Sequence, residues 1–162
     1  MYIKRKLNES LETFKNLRSY HKNTCNSSHR YIATVGVGGN VGDVKRRLNH
    51  LYFYIKKDKR VTLLQTSLIL KNPPFGYIEQ DDFFNSIIVI KTSMQPTQFL
   101  NYLMRVEKKF ARKRSFANAP RTLDLDIIFF DDRVVKTSKL QIPHVKWFER
   151  ESVLIPLADI DK

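Results

Sequence analysis

Apolar residues follow two rhythms along this 162-residue chain, alternating in some stretches and recurring every three or four residues in others. Leu7, Leu11, Phe14 and Leu17 fall at helical spacing among Lys4, Arg5, Lys6, Lys15 and Arg18, which predicts an amphipathic helix. The ordinary use of such a helix is to dock on its own domain or on a second copy; a membrane-surface or partner-binding helix is the alternative. The polar run Asn23–His29 then marks a boundary between an extension, residues 1–29, and a domain, residues 30–162.

Within the domain, Tyr31–Val37 reads as a strand and Gly38–Asp43 as a turn. A helix follows with Val44, Leu48, Leu51 and Ile55 as its apolar stripe, and Lys56 and Lys57 complement its C-terminal dipole. Val61–Leu70 is predicted as the second strand and Phe83–Ile90 as the third. The two prolines of Lys71–Tyr77 make that stretch a loop. Pro96 opens a second helix whose stripe is Phe99, Leu103, Val106 and Phe110, with Glu107 and Lys108 away from the stripe's centre. In the fourth strand Leu123, Leu125, Ile127 and Phe129 share one face, and Asp124 and Asp126 the other. Asp131–Arg133 marks a turn, Val134-Val135 begins a small hairpin, and Gln141–Leu157 is irregular apart from a short helix near Trp147–Glu151. The order β-α-β-β-α-β predicts an α+β protein of ferredoxin-like type, two helices on one face of a four-stranded antiparallel sheet. That arrangement hosts unrelated functions, so the function must be read from a site.

Composition narrows the class. Hydrophobic residues make up 42% of the chain, enough for a core at this length. No apolar run is long enough to span a bilayer, and the basic start has no apolar stretch behind it to make a secretory signal. The single Cys25 excludes an intramolecular disulfide framework and a cysteine-rich zinc site, so a cytoplasmic setting is expected. A net charge of +13 favours anionic partners: nucleic acid, acidic membrane or nucleotide phosphates.

The aspartate pair sharpens that choice. Two residues apart on a strand, Asp124 and Asp126 place their Cα atoms about 6.5–7 Å apart. Like-charged carboxylates among apolar neighbours repel and resist desolvation. Alone, the pair would ordinarily be read as salt-bridge partners. Divalent cations resolve the conflict more fully, and Arg112, Lys113, Arg114 and Arg121 can gather the polyphosphate such metals carry. The glycine-rich turn lacks the Lys-Ser/Thr of a phosphate-binding P-loop, so it carries little by itself.

Pro120-Arg121-Thr122-Leu123-Asp124-Leu125-Asp126-Ile127 resembles the signature of the 6-hydroxymethyl-7,8-dihydropterin pyrophosphokinases. Further pieces match in order over about residues 31–158. Gly38-Gly39-Asn40 is similar to the family's turn after its first strand, and Pro73-Pro74-Phe75-Gly76 with Phe83-Phe84-Asn85 to its pterin-binding loop and strand. Pro143-His144, Arg150 and Val153–Leu157 resemble its C-terminal segment. The resemblance implies transfer of the β,γ-pyrophosphoryl group of ATP to the hydroxymethyl oxygen of 6-hydroxymethyl-7,8-dihydropterin, with AMP released. It implies two Mg²⁺ held by Asp124 and Asp126, and catalytic roles for Arg112 and Arg121 on the phosphates. Arg114, Lys139, His144 and Arg150 fall where the family places further ATP contacts, and Glu107 at a position near the nucleotide. Asn72, Pro73, Phe75, Phe83 and Asn85 fall on the pterin site: Phe83 could stack on the ring, and an asparagine can donate and accept at its amide-like edge. A monomer acting on ATP and the pterin is implied, with no nucleic-acid or membrane partner; the N-terminal helix is the one route to self-association.

Two departures stand out. Ser152 occupies a position where the family commonly has an aromatic forming the second half of the pterin sandwich; Trp147 or Phe148 are the replacements at hand. Phe116-Ala117-Asn118-Ala119 stands where a tryptophan is common, in a loop one residue shorter. The rival from another class is an RNA-binding module, which shares the element order and the basic charge. Its aromatic stacking consensus is missing from the first and third strands, and paired aspartates would repel a phosphate backbone. A metal-dependent nuclease leaves the Asn72–Asn85 segment unexplained.

Overall fold

The computed structural model describes residues 1–16, 27–112 and 119–160. It is a mixed α+β structure: β1 (Tyr2–Lys6), β2 (Glu12–Asn16), β3 (Tyr31–Gly39), α1 (Val44–Lys57), β4 (Val61–Thr66), β5 (Ile69–Asn72), β6 (Phe83–Thr92), α2 (Pro96–Lys109), β7 (Asp124–Phe130), β8 (Val135–Lys136), β9 (Gln141–Ile142) and α3 (Glu151–Leu157), with a 3-10 turn at Trp147–Glu149. The main sheet runs β1-β2-β5-β6-β3-β7, with β4 also paired to β6. Its pairings are antiparallel. Among the described residues, no helix is long and apolar enough to cross a membrane.

Period-two alternation in β3 sends Ala33, Val35 and Val37 to one face, where α1 and α2 close over them. The helical stripes meet them as their spacing requires: Val44, Leu48, Leu51 and Ile55 from α1, and Phe99, Leu103 and Val106 from α2. Asp43 caps α1 by accepting from Arg46 N at 3.0 Å, worth about 1 kcal/mol for a cap of this kind. Pro96 opens α2, and Gln98 Oε1 reaches back to accept from Gln95 N. On the opposite face α3 covers only one region, packing Val153 on Ile87 and Ile128 beside Phe129, Trp147 and Leu157. Among the described residues, the rest of that face is open enough to form a cleft.

Four local expectations change. The predicted N-terminal helix is a β-hairpin: β2 pairs along the edge of β5, which satisfies its backbone and delivers Phe14 to the core, while Leu7 is left exposed. Leu17 and Arg18 lie outside the described residues. The single strand expected over Val61–Leu70 is split at Ser67-Leu68; both halves hold to β6, and Asp159 Oδ2 accepts from Leu68 N at 2.7 Å at the break. In β7 the alternation slips by one. Val35 pairs with Ile127 and Thr34 with Phe129, leaving Ile128 as an extra residue, so Phe130 rather than Phe129 joins Leu123, Leu125 and Ile127 in the main core. The Phe130 ring lies 5.6 Å from Tyr31 and 5.9 Å from Phe99. The C-terminal segment is more regular than expected, since α3 follows the 3-10 turn. The expected small hairpin forms from β8 and β9.

Candidate active site

The open face of the sheet is the floor of a cleft of about 1230 Å³. Asp124 and Asp126 stand on it because β7 alternates, and each faces a glycine across the ladder: Gly38 opposite Asp124, Gly36 opposite Asp126. Neighbouring side chains use the space the glycines leave: a Cβ on Gly36 would lie 3.3 Å from Ile128 Cδ1, and one on Gly38 would lie 2.4 Å from Asn85 Oδ1. Only a glycine lets the Asn85 amide lie across β3.

Arg112 and Arg121 both reach Asp124. Arg112 Nη1 is 2.7 Å from Oδ1, and Arg121 Nη1 donates to Oδ2 at 2.5 Å. Arg112 also pairs with Glu107, whose Oε1 accepts from Leu125 N at 2.8 Å. Glu107 lies off the centre of the α2 stripe, as expected, yet is only 5% exposed, because it faces β7 and fixes Arg112 from behind. Burial pushes its carboxyl pKa up, while Leu125 N–H and Arg112 act in the opposite direction.

Asp126 makes no hydrogen bond or ion pair among the described residues. Its pKa is pushed up to about 7, first by desolvation at the cleft floor, then by the charges of Asp124 and Glu107. The carboxyl is nevertheless open to the cleft, so solvent there offsets part of the rise. An unpartnered, partly desolvated carboxylate two residues from a second one suits a hard cation, which needs oxygen ligands and keeps several waters or phosphate oxygens of its own. The donor set therefore fits Mg²⁺.

At the other end, Asn85 Nδ2 donates to Asn72 Oδ1 at 2.7 Å, and Asn72 Nδ2 to Pro73 O at 2.8 Å. Phe83 lines the cleft beside them, with the Arg121 guanidinium 5.5 Å from its ring centroid. Phe75 lines it too, 77% exposed, as the tip of the proline loop. Asn40 joins the two ends. Its Oδ1 accepts from Arg121 N at 2.9 Å, and its Nδ2 donates to Gln80 Oε1 and Asp81 O.

His144 and Arg150 border the cleft as well. The His144 pKa is lowered by burial and by the Arg150 charge, and its Nδ1 accepts from Lys146 N at 3.3 Å. Of the residues expected here, Lys139 stands apart, exposed in the turn between β8 and β9 and absent from the cleft wall. Arg114 and Lys113 fall outside the described residues. Neither Trp147 nor Phe148 fills the wall left by Ser152. Trp147 packs its ring 5.0 Å from Phe129 beneath α3, and Phe148 leans on Trp147 outside the cleft. Ser10 and Leu11 of the N-terminal hairpin do line it. Sequence reasoning missed them and Gly36; the Gly-x-Gly of β3 set against the Asp-x-Asp of β7 was the available signal for Gly36.

A family model described as 7,8-dihydro-6-hydroxymethylpterin-pyrophosphokinase matches residues 34–162. The chain is 41% identical over 133 residues to a Campylobacter jejuni protein named 2-amino-4-hydroxy-6-hydroxymethyldihydropteridine pyrophosphokinase, covering 82% of this chain and 85% of the relative. Proteins of the same name from Helicobacter pylori and Bacillus subtilis are 39% identical over 142 residues and 36% identical over 129. Those matches cover 86% of this chain and 86% of the relative in the first case, and 80% and 77% in the second.

Proposed function

The chain belongs to the 7,8-dihydro-6-hydroxymethylpterin-pyrophosphokinase family, and from that premise we propose how this cleft carries out ATP-dependent pyrophosphoryl transfer to the hydroxymethyl dihydropterin of folate biosynthesis. The observation that carries the reading is a single cleft floor with Asp124, Asp126 and two arginines at one end and the Asn72–Asn85 amide pair at the other. The core strand order β7-β3-β6-β4/β5, with α1 and α2 on one face, supports a ferredoxin-like core. Residues 30–162 then carry the catalytic groups in a cytoplasmic monomer, and the hairpin of β1 and β2 extends their sheet.

Asn85 and Asn72 donate to and accept from the pterin's amide edge, and Phe83 offers its ring face to the heterocycle. That places the hydroxymethyl group toward Asp124 and Asp126. Two Mg²⁺ held by these carboxylates would supply charge neutralisation for the triphosphate and ease loss of the hydroxyl proton. Arg112 and Arg121, drawn off Asp124, hold phosphate oxygens and balance the charge that grows as the bond to the α-phosphate oxygen breaks. Glu107 keeps Arg112 aimed at the cleft throughout. His144 and Arg150 hold the outer phosphates, and the family resemblance assigns Arg114 and Lys139 to the same triphosphate. The hydroxymethyl oxygen attacks the β-phosphorus, the bond between that phosphorus and the α-bridging oxygen breaks, and AMP leaves.

Supplying Mg²⁺, ATP and the hydroxymethyl dihydropterin, then identifying the nucleotide product, tests this directly. AMP formed only with the pterin present supports the reading. ADP, or no turnover by folded protein, would sink it.

A further inference from the structure

We propose that the N-terminal hairpin is part of the substrate site: its turn, through Leu11 and Ser10, forms the second wall of the pterin slot. The inference rests on the pterin reading above, and the hairpin lies ahead of residues 34–162, which the family model matches.

The register of the sheet locates the turn. Phe14 pairs with Ile69, Thr13 with Leu70 and Glu12 with Lys71. One step further, Leu11 comes level with Asn72, and Asn72 pairs with Phe83 on β6. Cross-strand partners point to the same face, so Leu11 rises on the side of Asn72, Phe83 and Asn85. Phe14, three positions on, points to the opposite face and sits in the main core. Leu11 is only 5% exposed yet belongs to neither core cluster; it lines the cleft instead.

The turn is held in place, as a wall must be. Asn8 Oδ1 accepts from Ser10 N at 2.9 Å, Ser10 Oγ at 3.2 Å and Leu11 N at 2.8 Å, and Leu7 N donates to Leu11 O at 2.9 Å. The strands below are pinned to the domain. The Lys45 ammonium lies 4.4 Å from the Phe14 ring centroid, Tyr2 Oη donates to Lys45 O at 3.3 Å, and Lys15 pairs with Asp159 at 3.4 Å. A flat heterocycle lying on Phe83 needs an apolar surface on its other side. Ser152 is too small and polar to supply it, and Trp147 and Phe148 are turned elsewhere. Leu11 lines the cleft on the sheet face that carries Phe83 and Asn72, one strand beyond Asn72, and is placed to do so together with Phe75 of the proline loop; Ser10 lines the cleft beside it.

Steady-state kinetics on the full chain decide the matter. Leu11→Ala should raise the KM for the pterin by about tenfold or more, the scale on which apolar pocket contacts discriminate, with the KM for ATP and kcat within about twofold of the parent. Leu11→Met should restore most of the loss, which a role confined to folding would not require once both variants melt normally. Because Ser10 is exposed and costs the fold little, Ser10→Trp serves as a second probe and should change the pterin KM at least about threefold by crowding the slot. Unchanged pterin KM in both Leu11→Ala and Ser10→Trp, with the parent active, overturns the inference alone. A parent that makes no AMP overturns the pterin reading and this inference with it.

Discussion

At the scale of single residues, the site depends on what faces the two aspartates. Opposite Asp126, a Cβ on Gly36 would press on Ile128; opposite Asp124, only a glycine at 38 lets the Asn85 amide lie across β3. Gly38→Ala should therefore push the Asn85 amide aside and raise the pterin KM by about tenfold or more, while Tm moves little; pterin titration and melting together check this. Asp126 offers a test in stability. Its pKa in the folded protein lies above the ordinary carboxylate value, so between about pH 4 and 7 the native state binds more protons than the unfolded one. Stability without metal then falls as pH rises through that window. Asp126→Asn should leave Tm unchanged near pH 4 and raise it near pH 8 by roughly 3 °C, about 1 kcal/mol after allowance for the solvent in the cleft. Added Mg²⁺ should raise the parent's Tm at pH 8 and leave that of the variant nearly unmoved.

At the scale of elements, Glu107 is the tie between α2 and β7. It holds Leu125 N–H and Arg112 from a buried position, so Glu107→Ala leaves the Leu125 donor without its acceptor and Arg112 with Asp124 alone. The expected cost is about 2–4 kcal/mol in urea unfolding, with Glu107→Gln costing less because its amide oxygen can still accept from Leu125 N. Glu107→Ala should also lose turnover, since Arg112 is no longer aimed; normal turnover in that variant would refute its positioning role. The element scale is also where sequence reading was least secure. Spacing over Leu7–Leu17 fits a helix, but an unpaired edge on β5 offers β2 a hydrogen-bonded ladder, and that long-range pairing outweighs the local pattern. The slip at Ile128 has the same origin: Ile127–Phe130 are all apolar, so no polar position marks the extra residue, which is set by how β7 registers on β3.

At the scale of the whole molecule, a net charge of +13 draws anions toward a cleft bordered by Arg112, Arg121, His144 and Arg150. The kcat/KM for ATP should fall several-fold between about 50 and 500 mM salt as the Debye length shrinks from roughly 14 to 4 Å. That for the uncharged pterin should change far less; equal sensitivity for both would show that salt acts on the fold instead.

The sequence by itself carried the family's signature and the residues proposed to act in the cleft. Asp-x-Asp on an alternating strand, arginines ahead of it, and asparagines flanking a proline loop are local facts, fixed by residue type and by the period of two. It also determined α1 and α2 and their inward stripes, because those follow from spacing within one element. Tertiary structure alone decided which strands paired, that Glu107 turns inward to grip Arg112, that Trp147 is spent under α3, and that a hairpin from the first sixteen residues reaches the cleft. Each of these depends on a contact between residues far apart in the chain, where register and packing outweigh local preference and no short-range pattern records the outcome.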